Sequence, residues 1–92
     1  QNNEYAQALR DFSRAIQIDP GFLLAYANRA AIYMDKHKYP EAAADFSKAV
    51  QIYPGFSKAY YGRGVAYLNM NNLQQANLDF KKAEELQKKG LR

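Results

Sequence analysis

Apolar side chains recur over the first eighteen residues at Tyr5, Ala8, Leu9, Phe12, Ala15 and Ile16. Steps of three and one place them on a single stripe, so the spacing predicts an amphipathic helix over residues 4–18. Asp19-Pro20-Gly21 stops it, because the residue before a proline resists the helical region and glycine frees the turn. A second helix is predicted from Phe22 to about Lys36, with Ala25, Tyr26, Arg29, Ala30 and Tyr33 on one side. His37 then falls where the chain reverses, and Asn71 holds the matching place further on; both tolerate left-handed backbone better than most residues. A third helix is predicted from Tyr39, with Pro40 in a first turn that needs no backbone donor. Its buried face reads Tyr39, Ala42, Ala43, Phe46, Ala49, Val50 and Tyr53, and Pro54-Gly55 ends it. The fourth helix is predicted from about Phe56 to Met70, and the fifth from about Leu73 to Lys89, with Gly90 as its stop. Nothing alternates with the period of a strand. Short loops make successive helices antiparallel neighbours in an all-α fold.

The chain copies itself. Pro20-Gly21-Phe22 returns thirty-four residues later as Pro54-Gly55-Phe56, Ala25-Tyr26 as Ala59-Tyr60, Arg29 as Arg63 and Tyr33 as Tyr67. Asp11-Phe12 returns as Asp45-Phe46 and again as Asp79-Phe80; Ala8, Ala42 and Ala76 form a further series, as do Ala15, Ala49 and Ala83. Roughly a third of positions at this offset are identical, which marks a helical repeat array. Small residues recur because two helices approach closely only where one offers a small side chain. Ala30 is expected against Ala42 and Gly64 against Ala76, with Phe46 and Phe80 filling the space beside them. The aspartates recur with the repeat rather than as a pair across a cleft. Arg29 is therefore expected to contact Asp11 or Asp45, and Arg63 to contact Asp45 or Asp79, through an arginine–carboxylate fork.

These residues resemble the tetratricopeptide repeat, a helix–turn–helix unit of the same length. The pattern in the central unit is Tyr26, Arg29, Ala30, Tyr33, Ala42, Phe46, Ala49 and Pro54. In the last unit it is Tyr60, Arg63, Gly64, Tyr67, Ala76, Phe80 and Ala83, and the first unit keeps Ala8, Phe12, Ala15 and Pro20. The resemblance implies a single domain over 1–92. Residues 1–20 are the second helix of a partial repeat, 21–54 a complete repeat, and 55–92 a last repeat with its C-terminal end. Five helices would stack as antiparallel hairpins in a right-handed superhelix, a solenoid fragment. The chain departs from the pattern in several places: arginine stands where leucine is common, tyrosine replaces tryptophan, and Lys88-Lys89-Gly90 replaces the closing proline. That last change suggests that the array ends there, while Gln1-Asn2-Asn3 reads as the middle of a longer protein.

The family's concave groove is lined mainly by the first helix of each repeat. Carried over by position, it comprises Leu24, Ala27, Asn28, Ala31, Met34 and Asp35, then Lys58, Tyr61, Gly62, Val65, Leu68 and Asn69. A mostly apolar floor with a few polar anchors suits an extended peptide or amphipathic helix of another protein. The resemblance thus implies a non-enzymatic interaction module, with a self-associating scaffold as the alternative and a nucleic-acid-binding array as a weaker one. One subfamily clamps the C-terminal carboxylates of heat-shock chaperone tails with lysines, asparagines and an arginine. Asn28 and Lys58 stand at two clamp positions, but Gly62 replaces the arginine, so this clamp is not expected. The uncovered first helix is expected to seek a cover, by dimerisation or exchange with another chain, because each repeat buries its face only against the next.

Composition narrows the chemistry. Ninety-two residues without cysteine exclude a disulfide framework and thiolate metal sites. No apolar run is long enough to cross a bilayer and no leader opens the chain; no membrane partner is expected, and an intracellular protein is. The net charge of +4 is concentrated at Lys81, Lys82, Lys88, Lys89 and Arg92, as expected of a solvated last helix whose charge complements its dipole. The groove positions are poor in Arg and Lys, which argues against nucleic acid. His37 is the only histidine and lies in a predicted turn, and Ser13, Ser47 and Ser57 have no base at a catalytic spacing. No enzyme activity, metal or cofactor is expected.

Overall fold

The computed structural model describes residues 2–90, the first of them by its backbone alone; Gln1, Leu91 and the basic Arg92 lie outside the described residues. Five helices follow in order: α1 (Asn2–Ile18), α2 (Leu23–Asp35), α3 (Tyr39–Ile52), α4 (Ser57–Asn69) and α5 (Leu73–Lys88). No strand occurs among the described residues, and none of their helices is long and apolar enough to cross a membrane.

Phe22 and Phe56, read from the sequence as first helical residues, are N-caps instead. Phe22 has φ −76° and ψ 92°, while its carbonyl already accepts from Ala25 N and Tyr26 N. Its carbonyl belongs to the helix but its own backbone does not. At the other ends, Lys36 and Met70 are C-caps, and the turns depend on left-handed residues. His37 has φ 59° and Asn71 φ 61°. In both turns the following amide closes on a carbonyl five residues back, Lys38 N to Tyr33 O at 2.8 Å and Asn72 N to Tyr67 O at 2.9 Å. This is the Schellman arrangement, which satisfies two otherwise orphaned carbonyls. Asp19 adds an Asx turn before the second helix by accepting from Gly21 N at 3.1 Å.

Each helix packs on the next, giving antiparallel hairpins side by side rather than a closed bundle. The one contact between helices not adjacent in sequence joins α2 and α4; α1 does not touch α3, and α3 does not touch α5. The array therefore bends towards the side of α2 and α4, which becomes its inner face.

Alanine makes this close approach possible. Ala25, Ala30, Ala42, Ala49, Ala59, Ala66, Ala76 and Ala83 are all buried. Ala30, Ala42, Ala49 and Ala59 hold the centre with Tyr26 and Phe46, and Ile16, Leu23, Tyr33, Met34, Val50 and Phe56 pack around it. Glycines admit the two phenylalanines. A methyl group on Gly62 would fall 2.5 Å from Phe46 Cζ, and one on Gly64 2.7 Å from Phe80 Cε1. Gly64, expected to make room for Ala76, thus faces the Phe80 ring. Burial also corrects the expected core: Tyr53 is exposed, and Ala8, Phe12, Tyr33, Tyr60, Tyr67 and Phe80 are only half-buried. Tyr33, Tyr60 and Tyr67 flank a partly open arginine, while α1 has a neighbour on one side only.

Phe46→Ala would empty the space between α3 and α4, a loss of about 3–5 kcal/mol. That is a large part of the stability of a small domain. Urea denaturation followed by circular dichroism is expected to show a fully or largely unfolded variant at room temperature.

Candidate functional site

Two arginines join the hairpins. Arg29, on α2, donates from Nε and Nη2 to the two carboxylate oxygens of Asp45 on α3, both at 2.7 Å. Arg63, on α4, does the same with Asp79 on α5 at 2.8 Å. Of the two carboxylates open to each arginine on spacing alone, each takes the one sixteen residues ahead. Among the described residues Asp11 takes no arginine; it accepts from Gln7 at 3.0 Å within its own helix. The third arm was not foreseen. Arg29 Nη1 donates to Ser13 Oγ on α1 at 3.1 Å, and Arg63 Nη1 to Ser47 Oγ on α3 at 3.0 Å. The recurrence of Ser13 as Ser47, two residues past each aspartate, is the signal that could have revealed it.

Each guanidinium also lies between two tyrosine rings. Arg29 is 5.9 Å from the ring centres of Tyr26 and Tyr33; Arg63 is 5.5 Å from Tyr60 and 5.8 Å from Tyr67. These are cation–π distances. Asp45 and Asp79 are buried, and the arginine pKa values are pushed above their usual range, mainly by the hydrogen bonds to those carboxylates, against the opposing effect of burial. Because the arginine pKa values are raised, the stabilisation is lost as the pH climbs through them in strong alkali, and at the other extreme it requires the carboxylates to be ionised.

The sequence-derived groove residues all sit on α2 and α4, the inner helices, but they differ in availability. Leu24, Tyr61 and Leu68 are well exposed, at 57%, 59% and 46%. Asn28, Ala31 and Lys58 are exposed too, whereas Ala27, Gly62 and Val65 are half-buried and Met34 packs against the core. Two expected polar anchors are already engaged. Asp35 accepts from the Tyr5 hydroxyl at 2.6 Å, a bond that also pushes the phenol pKa up, and Asn69 donates to Val65 O at 2.9 Å.

Another opening lies on the face of α5 that corresponds to the face of α3 covered by α4, where Phe46 meets Gly62 and Ser47 meets Arg63. A shallow cavity of about 570 Å³ extends from Tyr61 onto α5 and is lined by Asn77, Phe80, Lys81, Ala83, Glu84 and Gln87. Tyr61 and Phe80 form its aromatic floor, with ring centres 5.4 Å apart. A reading confined to the first helix of each repeat missed these α5 residues. The signal lies in the repeat itself: Ala43, Ser47 and Val50 on α3, and Tyr53 at its C-cap, become Asn77, Lys81, Glu84 and Gln87 on α5.

None of the three serines is a free hydroxyl beside a base. Ser13 and Ser47 accept from the arginines, and Ser57, fully buried, donates to Ala83 O at 3.0 Å. His37 stacks on Tyr39 in its turn. Among the described residues, no cluster of three or more His, Asp or Glu side chains is placed to hold a metal ion.

Residues 24–56 match one tetratricopeptide-repeat family and residues 46–76 another. The chain belongs to the tetratricopeptide-repeat family. Similar solved structures share the repeat array. The crystal structure of MamA superposes with a TM-score of 0.91 at 30% identity, over 95% of this chain and 51% of MamA; this repeat chain thus spans about half of MamA's length. The second tetratricopeptide domain of Spaghetti (RPAP3), bound to the HSP90 peptide SRMEEVD, gives 0.87 at 33% identity, over 92% of this chain and 79% of that one. The second such domain of human RPAP3, in complex with the HSP70 peptide SGPTIEEVD, gives 0.86 at 33% identity over 92% and 71%. Comparison with curated proteins by sequence returns no match.

Removing one partner of the arginine fork in this repeat protein is expected to cost more than removing both. Asp45→Ala leaves Arg29 without its carboxylate in a mostly buried setting, a loss of about 3 kcal/mol. The double variant Arg29→Leu/Asp45→Leu replaces the pair with apolar volume and is expected to be closer to wild type. Thermal denaturation of the two variants beside wild type checks the order.

Proposed function

We propose that the inner face of α2 and α4 is a groove that binds a segment of another protein without catalysing a reaction. On this reading residues 1–20, 21–54 and 55–92 act together as one rigid receptor. The observation that carries the proposal is the exposure of Leu24, Tyr61 and Leu68 on the side towards which the array bends. Large apolar side chains on a concave face, beside Asn28 and Lys58, suit a peptide that buries apolar residues and places an acidic group near Lys58. The engagement of all three serines within the fold supports a non-catalytic role.

The RPAP3 domains hold peptides ending in EEVD. In this chain Asn28 and Lys58 stand at two clamp positions, while the place of the clamp arginine is Gly62, hard against the Phe46 ring. A terminal carboxylate would therefore meet one cation where the clamp offers more. We favour a ligand gripped through its side chains, chiefly on Tyr61, over one gripped by its C-terminus.

Peptides selected from a display library against the whole chain test this reading. They are expected to bind Tyr61→Ala and Lys58→Glu at least tenfold more weakly than wild type, by fluorescence polarisation, and to be indifferent to amidation of their C-terminus. Lys82→Glu, on the outer face of α5, should leave affinity unchanged. Peptides that ignore both groove substitutions would refute the groove. Peptides that need a free carboxylate would restore the clamp.

A further inference from the structure

Helices α2 and α4 carry four charged side chains, Arg29, Asp35, Lys58 and Arg63. The two arginines are engaged in the forks to Asp45 and Asp79, which are the ion pairs found among the described residues. Asp35 and Lys58 remain, both exposed, at opposite ends of the inner face. Lys58 lies in the first turn of α4 and Asp35 ends α2, and the two helices run parallel because α3 alone lies between them in the chain. Lys58 is the repeat counterpart of Leu24, eleven residues before Asp35, so the two charges stand about 16 Å apart along the helix axes. The Tyr5 hydroxyl on α1 donates to Asp35 Oδ2 at 2.6 Å. One such bond does not exhaust a carboxylate, and Oδ1 takes no hydrogen bond among the described residues. Glu4 brings further negative charge beside Tyr5, and Lys36 and Lys38 in the following turn form no ion pair with Asp35. The contacts that stack the helices recur: the arginine fork, its serine arm and the buried alanines. The Tyr5–Asp35 bond does not. Thirty-four residues on, Tyr39 stacks on His37, and Asn69 donates to Val65 O of its own helix. The second turn forms through Asn71 with no carboxylate at that place, so packing does not demand one.

We propose that Asp35, held by Tyr5, is a second polar subsite of the groove and takes a lysine or arginine side chain of the bound peptide. The inference rests on the groove reading given above and adds a charge pattern for the partner. A ligand that sets an acidic residue at Lys58 sets a basic one at Asp35, across a floor of Leu24, Ala31, Tyr61 and Leu68. An extended chain rises about 3.3 Å per residue, so the two opposite charges are about five to seven residues apart once the sideways step from α2 to α4 is included. A reversed ligand would set acid against Asp35 and cation against Lys58, so the two charges also fix which way the peptide lies. Tyr5 is a positioning residue. Its hydroxyl holds the carboxylate in one rotamer before the ligand arrives, which reduces the freedom lost on binding.

The test selects random displayed peptides, long enough to span the groove, in parallel against the whole chain and its Asp35→Lys variant. Binders of the wild type are expected to carry Lys or Arg about five to seven residues from Asp or Glu. Binders of the variant are expected to lose that basic residue. For one synthetic wild-type binder, Asp35→Asn in the protein and glutamine for the basic residue in the peptide should each weaken binding about threefold to fivefold by fluorescence polarisation, the scale of an exposed ion pair. The two changes together should add little. Asp35→Lys with glutamate at the peptide's basic position should restore most of the affinity. Tyr5→Phe should weaken the basic peptide and spare its glutamine version, a difference that a purely structural role would not produce. Both Asp35→Asn and Tyr5→Phe are expected to melt close to wild type. Binders that lose affinity with Tyr61→Ala, yet carry no basic residue at that spacing or ignore Asp35→Asn, overturn the subsite and leave the groove standing. Equal losses of the basic and glutamine peptides on Asp35→Asn reveal a structural tie and overturn it too. A selection without binders, or binders indifferent to Tyr61→Ala, overturns the groove and the subsite with it.

Discussion

A guanidinium held at once by a carboxylate, a hydroxyl and two tyrosine rings is the interaction on which this array depends. Arg29 reaches back to Ser13 on α1 and forward to Asp45 on α3, while Arg63 reaches back to Ser47 and forward to Asp79. Each arginine therefore ties three consecutive helices from the middle one. Alanine stripes allow helices to slide, because one alanine is much like the next. A planar fork with five donors is less forgiving and fixes which turn of one helix faces which turn of its neighbours. Desolvation offsets much of the attraction within each pair, so the net gain in stability is smaller than the geometry suggests. Among the described residues every buried polar side-chain atom has a partner, which is the condition under which such a network is tolerated in a small core.

The same close packing shapes the surface. Because small residues fill the helix contacts, several large side chains are left outside: Leu24, Tyr61 and Leu68 on the inner helices, and Ile18 on α1. Gly62 and Gly64 contribute by giving their Cβ space to Phe46 and Phe80. Phe46 is thereby covered, whereas Phe80 stays half-open beneath Tyr61. The difference follows from position. Phe46 has α4 above it, and no described helix lies over the corresponding side of Phe80.

Much of this was legible from spacing. The period of the apolar positions gave five helices, and every boundary fell within two residues of its place. Pro20, Pro54, His37 and Asn71 marked turns for backbone reasons that need no tertiary contact. The site was less legible. Asp35 and Asn69 read as polar anchors, yet both are engaged within the fold, by Tyr5 and by Val65 O. Tyr53 read as core because it continued the stripe of α3, but it lies at the C-cap, beyond the last covered turn. The α5 cavity went unread because the pattern concentrated attention on first helices.

The number, order and polarity of the helices, and the repeat that relates them, are written in the order of the residues. Those properties follow from local backbone preference and from periodicity, both of which a chain carries along its length. Helix packing settles that Arg29 takes Asp45 rather than Asp11, that two serines complete the arginine sites, that Ser57 is buried, and which apolar residues stay outside. These are choices between chemically equivalent partners. Distance between helices settles them, and a one-dimensional pattern does not contain that distance.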